Sequence, residues 1–189
     1  MTDAGAPGAT PSQTVGPFFH GGLVRGDGHH VSPADDPESL LMTGTVLDGA
    51  GAPVSDALVE VWQLDPDGLD ARSSSRPGFT GIGRVATGPD GSYRVRVLPP
   101  PPTTTVDGVA QAPHLDMLVH ARGIMRHLVT RAYVLPADPD DAQRLAATDP
   151  VLGSLEKRRR CRLLARRDGD ALRFDIRLQG PDETPFFDV

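Results

Sequence analysis

Ala57-Leu58-Val59-Glu60-Val61-Trp62-Gln63-Leu64 decides the fold of this 189-residue chain. Apolar side chains stand at both parities, as in a central strand covered on both faces. On either side the period settles to two. Met42-Thr43-Gly44-Thr45-Val46-Leu47 leads into a turn at Asp48-Gly49-Ala50-Gly51-Ala52-Pro53. Tyr93-Arg94-Val95-Arg96-Val97 alternates with Tyr93, Val95 and Val97 inward, and Pro99-Pro100-Pro101-Pro102 then stops the ladder, because proline donates no N–H. Residues 115–121 and 128–134 pair as strands through Arg122 to Arg126. Near the end, Leu172, Phe174, Ile176 and Leu178 share one face, and Arg173, Asp175, Arg177 and Gln179 the other. Seven to eight short, mainly antiparallel strands with Gly/Pro turns between them predict an all-β sandwich.

Composition agrees. Gly 21 and Pro 19 make up over a fifth of the chain, which argues against a helical bundle. The 38% apolar content is enough for a core. A formal charge of −6 excludes nucleic acid as the main partner, and no apolar run approaches a membrane span. The first residues show neither a basic n-region nor an apolar h-region, and Cys161 is the sole cysteine. A cytoplasmic protein without disulfides is expected. One short helix is predicted over 139–147, with Asp138 as its N-cap. Lys157-Arg158-Arg159-Arg160 reads as a solvated basic face, and Cys161 as a packed thiol on a strand.

The division expected is an N-terminal arm and loop over 1–40 and a sandwich body over 41–189. The arm is small, polar and rich in Pro and Gly, except for the island Val15-Gly16-Pro17-Phe18-Phe19. Such an island buries against this chain's own body or against another chain.

Few residues offer chemistry. In His114-Leu115-Asp116, positions i and i+2 of a strand share a face, and His127 on the neighbouring strand would complete two histidines and a carboxylate, the set used by Fe(II) oxygenases. The plainer reading is a partly buried, hydrogen-bonded histidine. Asp65, Asp67 and Asp70 suit either Ca²⁺ or Asx turns. Arg131 lies on a mostly apolar strand and requires an anion, from the protein or from a substrate. Ser73-Ser74-Ser75 lacks a nucleophile elbow and reads as a loop. On the residues alone, a non-catalytic β-sandwich binding module and a His/Asp Fe(II) oxygenase both stay open.

Met42-Thr43-Gly44-Thr45-Val46, Gly51-Ala52-Pro53-Val54 and Leu58-Val59-Glu60-Val61-Trp62-Gln63 together resemble the sandwich signature of the intradiol ring-cleavage dioxygenases. The arm over 10–19, Ala112-Pro113-His114, Thr130-Arg131-Ala132-Tyr133 and Arg173-Phe174-Asp175-Ile176-Arg177-Leu178-Gln179-Gly180 fit the same likeness. Catalytic chains of that family hold Fe(III) with two tyrosinates and two histidines, and the iron activates a catechol toward O₂. By the resemblance, the first tyrosine position is Asp70 here, and the loop 99–105 supplies no second tyrosine. The histidine pair is reduced to His114 with Asp116. The resemblance therefore implies degenerate ligand positions at Asp70, His114 and Asp116 and no metal or catalytic residue in this chain. Fe(III) would sit in a beta chain of like fold, joined in alpha–beta units. It further implies that Thr14, Gly16 and Pro17 line the partner's substrate pocket, and that Arg131 attracts the carboxylate of a carboxylated catechol.

Overall fold

The structure, a computed structural model, describes residues 13–14, 16, 22–24, 29–105, 107–134 and 139–188. Eleven strands are described, nine of them in two sheets packed face to face. The first sheet is built on β1 (Leu40–Leu47), which pairs antiparallel with β4 (Ser92–Val97). On its other edge β1 pairs parallel with β10 (Ala171–Arg173) and then with β11 (Ile176–Arg177); β9 (Arg166–Asp168) closes a hairpin on β10. The second sheet runs β3-β2-β7-β8, with β2 Leu58–Trp62, β3 Ile82–Ala86, β7 His114–His120 and β8 Leu128–Tyr133, all antiparallel. A short hairpin, β5 (Thr103–Thr104) with β6 (Ala110–Gln111), follows the proline run.

The core lies where the inward parities meet. Met42, Val46, Tyr93, Val95, Leu172, Phe174 and Ile176 face Val59, Val61, Val85, Leu115, Met117 and Val119. The central stretch is thus covered on both faces. Leu58 and Glu60 on the outer face of β2 are buried as well, although Trp62 is half exposed. Val31 also enters this core, with its N–H on the Arg96 carbonyl. From His29 onward, then, the end of the stretch read as an arm packs on the body.

Gly44 shows why the terminal strand is not continuous. A Cβ there would stand 1.8 Å from the Phe174 carbonyl oxygen and 2.6 Å from the Tyr93 ring. Without it, the Tyr93 hydroxyl donates to Phe174 O at 2.6 Å, and the Asp175 carboxylate takes the Thr45 N–H at 2.9 Å. Side chains thereby replace ladder bonds, and the run 172–178 is broken into β10 and β11. Their parallel pairing with β1 is a second feature that alternation does not reveal.

Helical content corrects the expectation of a single helix. The predicted element is present as α1, Pro139–Thr148; its expected cap, Asp138, lies outside the described residues. Asp149 then caps a second helix, α2 (Pro150–Ser154), accepting the N–H groups of Val151 and Leu152 with Pro150 in the first turn. The basic run forms a third, one-turn helix, α3 (Lys157–Arg160), which leads into a 3₁₀ turn at Cys161–Leu163. Cys161 is therefore neither on a strand nor packed. It is exposed, and its thiol donates to Arg158 O at 3.0 Å. These helices cover a second apolar cluster of Ala112, Tyr133, Ala146, Leu152 and Leu163. No helix among the described residues is long and apolar enough to cross a membrane.

Candidate functional site

Strands β7 and β8 place His114, Asp116, Arg131 and Tyr133 together. Their register sets His114 opposite Tyr133 and Asp116 opposite Arg131 on one face. Arg131 Nε donates to Asp116 Oδ1 at 2.9 Å, and its Nη1 reaches the Tyr133 hydroxyl at 3.5 Å. That hydroxyl donates to Asp149 Oδ1 at 3.1 Å, while Asp149 Oδ2 takes the Ala112 N–H at 2.9 Å. Asp149 is 1% exposed, so the capping carboxylate of α2 also anchors the row of polar groups behind Arg131. Burial works against the Arg131 charge, but Tyr133 and Asp116 outweigh it and hold the guanidinium pKa above its ordinary value.

His114 is buried and donates Nδ1–H to the Ala112 carbonyl at 2.7 Å, which leaves Nε2 3.7 Å from Asp116. Burial pushes its pKa down, favouring the neutral imidazole. His127 does not join it. It sits beyond the opposite end of the hairpin, its ring 5.6 Å from that of His120, and His120 stands at the far end of the seven-residue strand from His114, roughly 20 Å away. The proposed His114–Asp116–His127 set is thus pulled apart. Parity put the residues on one face, but strand length separates them.

The acidic loop after β2 makes turns. Asp65, 2% exposed, accepts the N–H groups of Asp67 and Leu69. Burial alone would raise its pKa; the Ser74 hydroxyl and those two amides hold it below the usual value. Asp70 accepts from the Arg72 and Ser73 amides, and Ser73 holds its carboxyl low. Asp70 and Asp116 nevertheless border one cavity of about 330 Å³, walled by Trp62, Leu64 and Ile82.

These donors do not fit a ferric ion. Asp70 is committed to backbone amides and Asp116 to a guanidinium, so that of the three only His114, through Nε2, keeps a ligand atom to offer. Both tyrosines are held as neutral phenols by burial, and their hydroxyls donate to Phe174 O and Asp149. No group of three His, Cys, Asp or Glu able to hold a metal occurs among the described residues.

In the arm, the Thr14 hydroxyl accepts the Gly123 N–H at 3.1 Å, which places Thr14 on this chain's own β7–β8 turn. Gly16 has φ +73°, and the space where a Cβ would stand is open to 4 Å. Pro17, Phe18 and Phe19 lie outside the described residues.

A family model described as Dioxygenase matches residues 16–180. The chain belongs to the intradiol ring-cleavage dioxygenase family. Over 198 aligned residues, 95% of this dioxygenase chain and 97% of its relative, it is 40% identical to the protocatechuate 3,4-dioxygenase alpha chain of Burkholderia cepacia. It is 33% identical to the beta chain of the same enzyme from that organism, over 78% of this chain and 67% of that one. Among solved structures, hydroxyquinol 1,2-dioxygenase from Pseudomonas putida DLL-E4 superposes with a TM-score of 0.60 at 23% identity, covering 89% of this chain and 66% of that one. That likeness supports the fold. Sequence reasoning missed the role of Asp149 in this dioxygenase chain. Its position before Pro150 signals an N-cap, but nothing local connects it to Tyr133 or Ala112.

Proposed function

We propose that this chain is the alpha, non-iron subunit of a protocatechuate 3,4-dioxygenase, which inserts both atoms of O₂ into 3,4-dihydroxybenzoate to give 3-carboxy-cis,cis-muconate. The observation that carries this reading is the engagement of the former ligand positions. Asp116 accepts from Arg131, and Asp70 closes a turn, inside a chain that matches an alpha chain over almost its whole length. The iron belongs to a beta chain of related sequence, which forms alpha–beta units with this one in the cytoplasm. Arg131, backed by Tyr133 and one-fifth exposed, offers a positive charge to a substrate carboxylate. Thr14, Gly16 and Pro17 form the arm segment over 10–19 that walls the partner's pocket. The left-handed backbone at Gly16 lets main chain approach a ligand there.

The reading is tested by producing this chain alone and together with its beta chain. Alone, it is expected to contain no stoichiometric iron, show no visible tyrosinate-to-iron band and leave protocatechuate unchanged. Together, the two are expected to form a coloured complex that cleaves the ring. Iron and turnover in the isolated chain would overturn the division of labour.

A further inference from the structure

The distribution of cations points to a second site, remote from the β7–β8 hairpin. The chain carries net negative charge, yet nine of its 19 Lys and Arg residues fall within 157–177, against three acidic residues. Tertiary structure gathers part of this set around one cavity of about 350 Å³. Arg162 enters from the 3₁₀ turn, Arg166 from β9, Arg173 from β10 and Arg177 from β11, while the partly buried Leu47 and Leu164 supply apolar lining.

The pairing among these arginines is incomplete. Arg162 meets Asp182 at 2.8 Å, and Arg173 meets Asp175 at 2.8 Å. Arg166 and Arg177 form no ion pair with any described residue. The register also sets Arg166 directly opposite Arg173 across the β9–β10 hairpin, a like-charge juxtaposition that weakens a strand pair. Arg166 is exposed and Arg177 half-buried, so both guanidinium groups are open to a ligand, and beside Leu47 and Leu164 they suit an anion that also has a hydrophobic body.

We propose that this groove binds a small organic dicarboxylate, one carboxylate on Arg166 and the other on Arg177, with its carbon skeleton against Leu47 and Leu164. A bound dianion would also relieve the Arg166–Arg173 opposition, so occupancy would stiffen the β9–β10 hairpin. This site is independent of the ring-cleavage reading: it uses neither the arm nor Arg131, and it stands or falls on binding alone.

The experiment is calorimetric titration of the full chain with isophthalate, isophthalamide and inorganic phosphate, supported by thermal melts. Isophthalate should bind saturably with one site and raise Tm. The uncharged diamide should not bind, and phosphate, which has charge but no body, should bind at least tenfold more weakly. Arg166→Gln combined with Arg177→Gln should weaken isophthalate about tenfold or more, while Arg72→Gln, outside the groove, should leave it unchanged. Arg166→Gln alone should not lower Tm in the absence of ligand, because it removes a like-charge contact, and this separates lost binding from lost folding. The proposal is overturned if isophthalate fails to bind, if phosphate or the diamide binds as tightly, or if the double variant binds like the parent.

Discussion

At one end of the β7–β8 hairpin His114 and Asp116 stand beside Arg131; at the other, His120, with the His127 ring against it, stands beside Glu60, and the two ends shelter opposite charges. In the first, the cation is the protected partner. The Arg131 side chain is 19% exposed and Asp116 48%. In the second, the anion is protected. The Glu60 side chain is 8% exposed, with Arg84 Nε on its carboxylate at 2.6 Å and His120 Nε2 at 3.9 Å. Similar residue types therefore serve different ends. A sheltered carboxylate held by Arg84 and facing His120 fastens β2, β3 and β7 to each other, whereas a sheltered guanidinium whose partner is half exposed can still attract an outside anion.

The largest expected effect falls on the support behind the first end. Asp149→Ala removes four hydrogen bonds from a buried carboxylate, to Val151, Leu152, Ala112 and Tyr133, and should cost about 3 kcal/mol in a thermal or denaturant melt. A loss no greater than that of an exposed cap, under about 1 kcal/mol, would mean that Arg131 is not held from behind in this way.

Glu60→Gln probes the second end and should cost about 2 kcal/mol near neutral pH. His120 and Arg84 hold the Glu60 carboxyl below its ordinary range against burial, which pushes the other way. Its contribution is therefore complete above the ordinary glutamate pKa and is lost as pH falls through the lowered folded value. Melting temperatures of parent and variant should converge on acidification; a constant gap down the acid limb would refute the assignment.

Arg131→Ala, assayed in the assembled dioxygenase, should raise KM for protocatechuate about tenfold with kcat little changed, and Arg131→Lys should recover part of the loss. An unaltered KM would place the substrate carboxylate elsewhere. The smallest effect is expected from Asp116→Asn, under about 1 kcal/mol by thermal melt, because the carboxylate is half exposed and well solvated. A loss of several kcal/mol would erase the contrast between the two ends.

The strands with strict alternation were legible because parity is a local property: 93–97 showed its inward residues directly, and 42–47 and 115–121 were readable as strands. Ile82–Ala86 was not, since one of its two inward residues is Gly83, which shows no apolar signal. Arg166–Asp168 is a wholly exposed edge strand, so burial leaves no periodic trace in its sequence. At the site, the resemblance pointed to Asp70, His114 and Asp116 from residue types along the chain. The grip of Asp149 could not, because its partners lie 16 and 37 residues away and follow no repeat.

The amino-acid order alone established the alternation of 93–97 and 172–178 and the two-sided apolar character of 57–64, and the family resemblance implied carboxylates at Asp70 and Asp116 in place of a phenolate and an imidazole. Only the folded chain decided what those carboxylates do instead: Asp70 closes a turn, Asp116 faces Arg131 across a strand pair, and His127 ends far from His114. The physical reason is range. Side-chain parity repeats every two residues along a strand, whereas a hydrogen bond requires two atoms within about 3 Å, a distance set by register and packing between segments far apart in the chain.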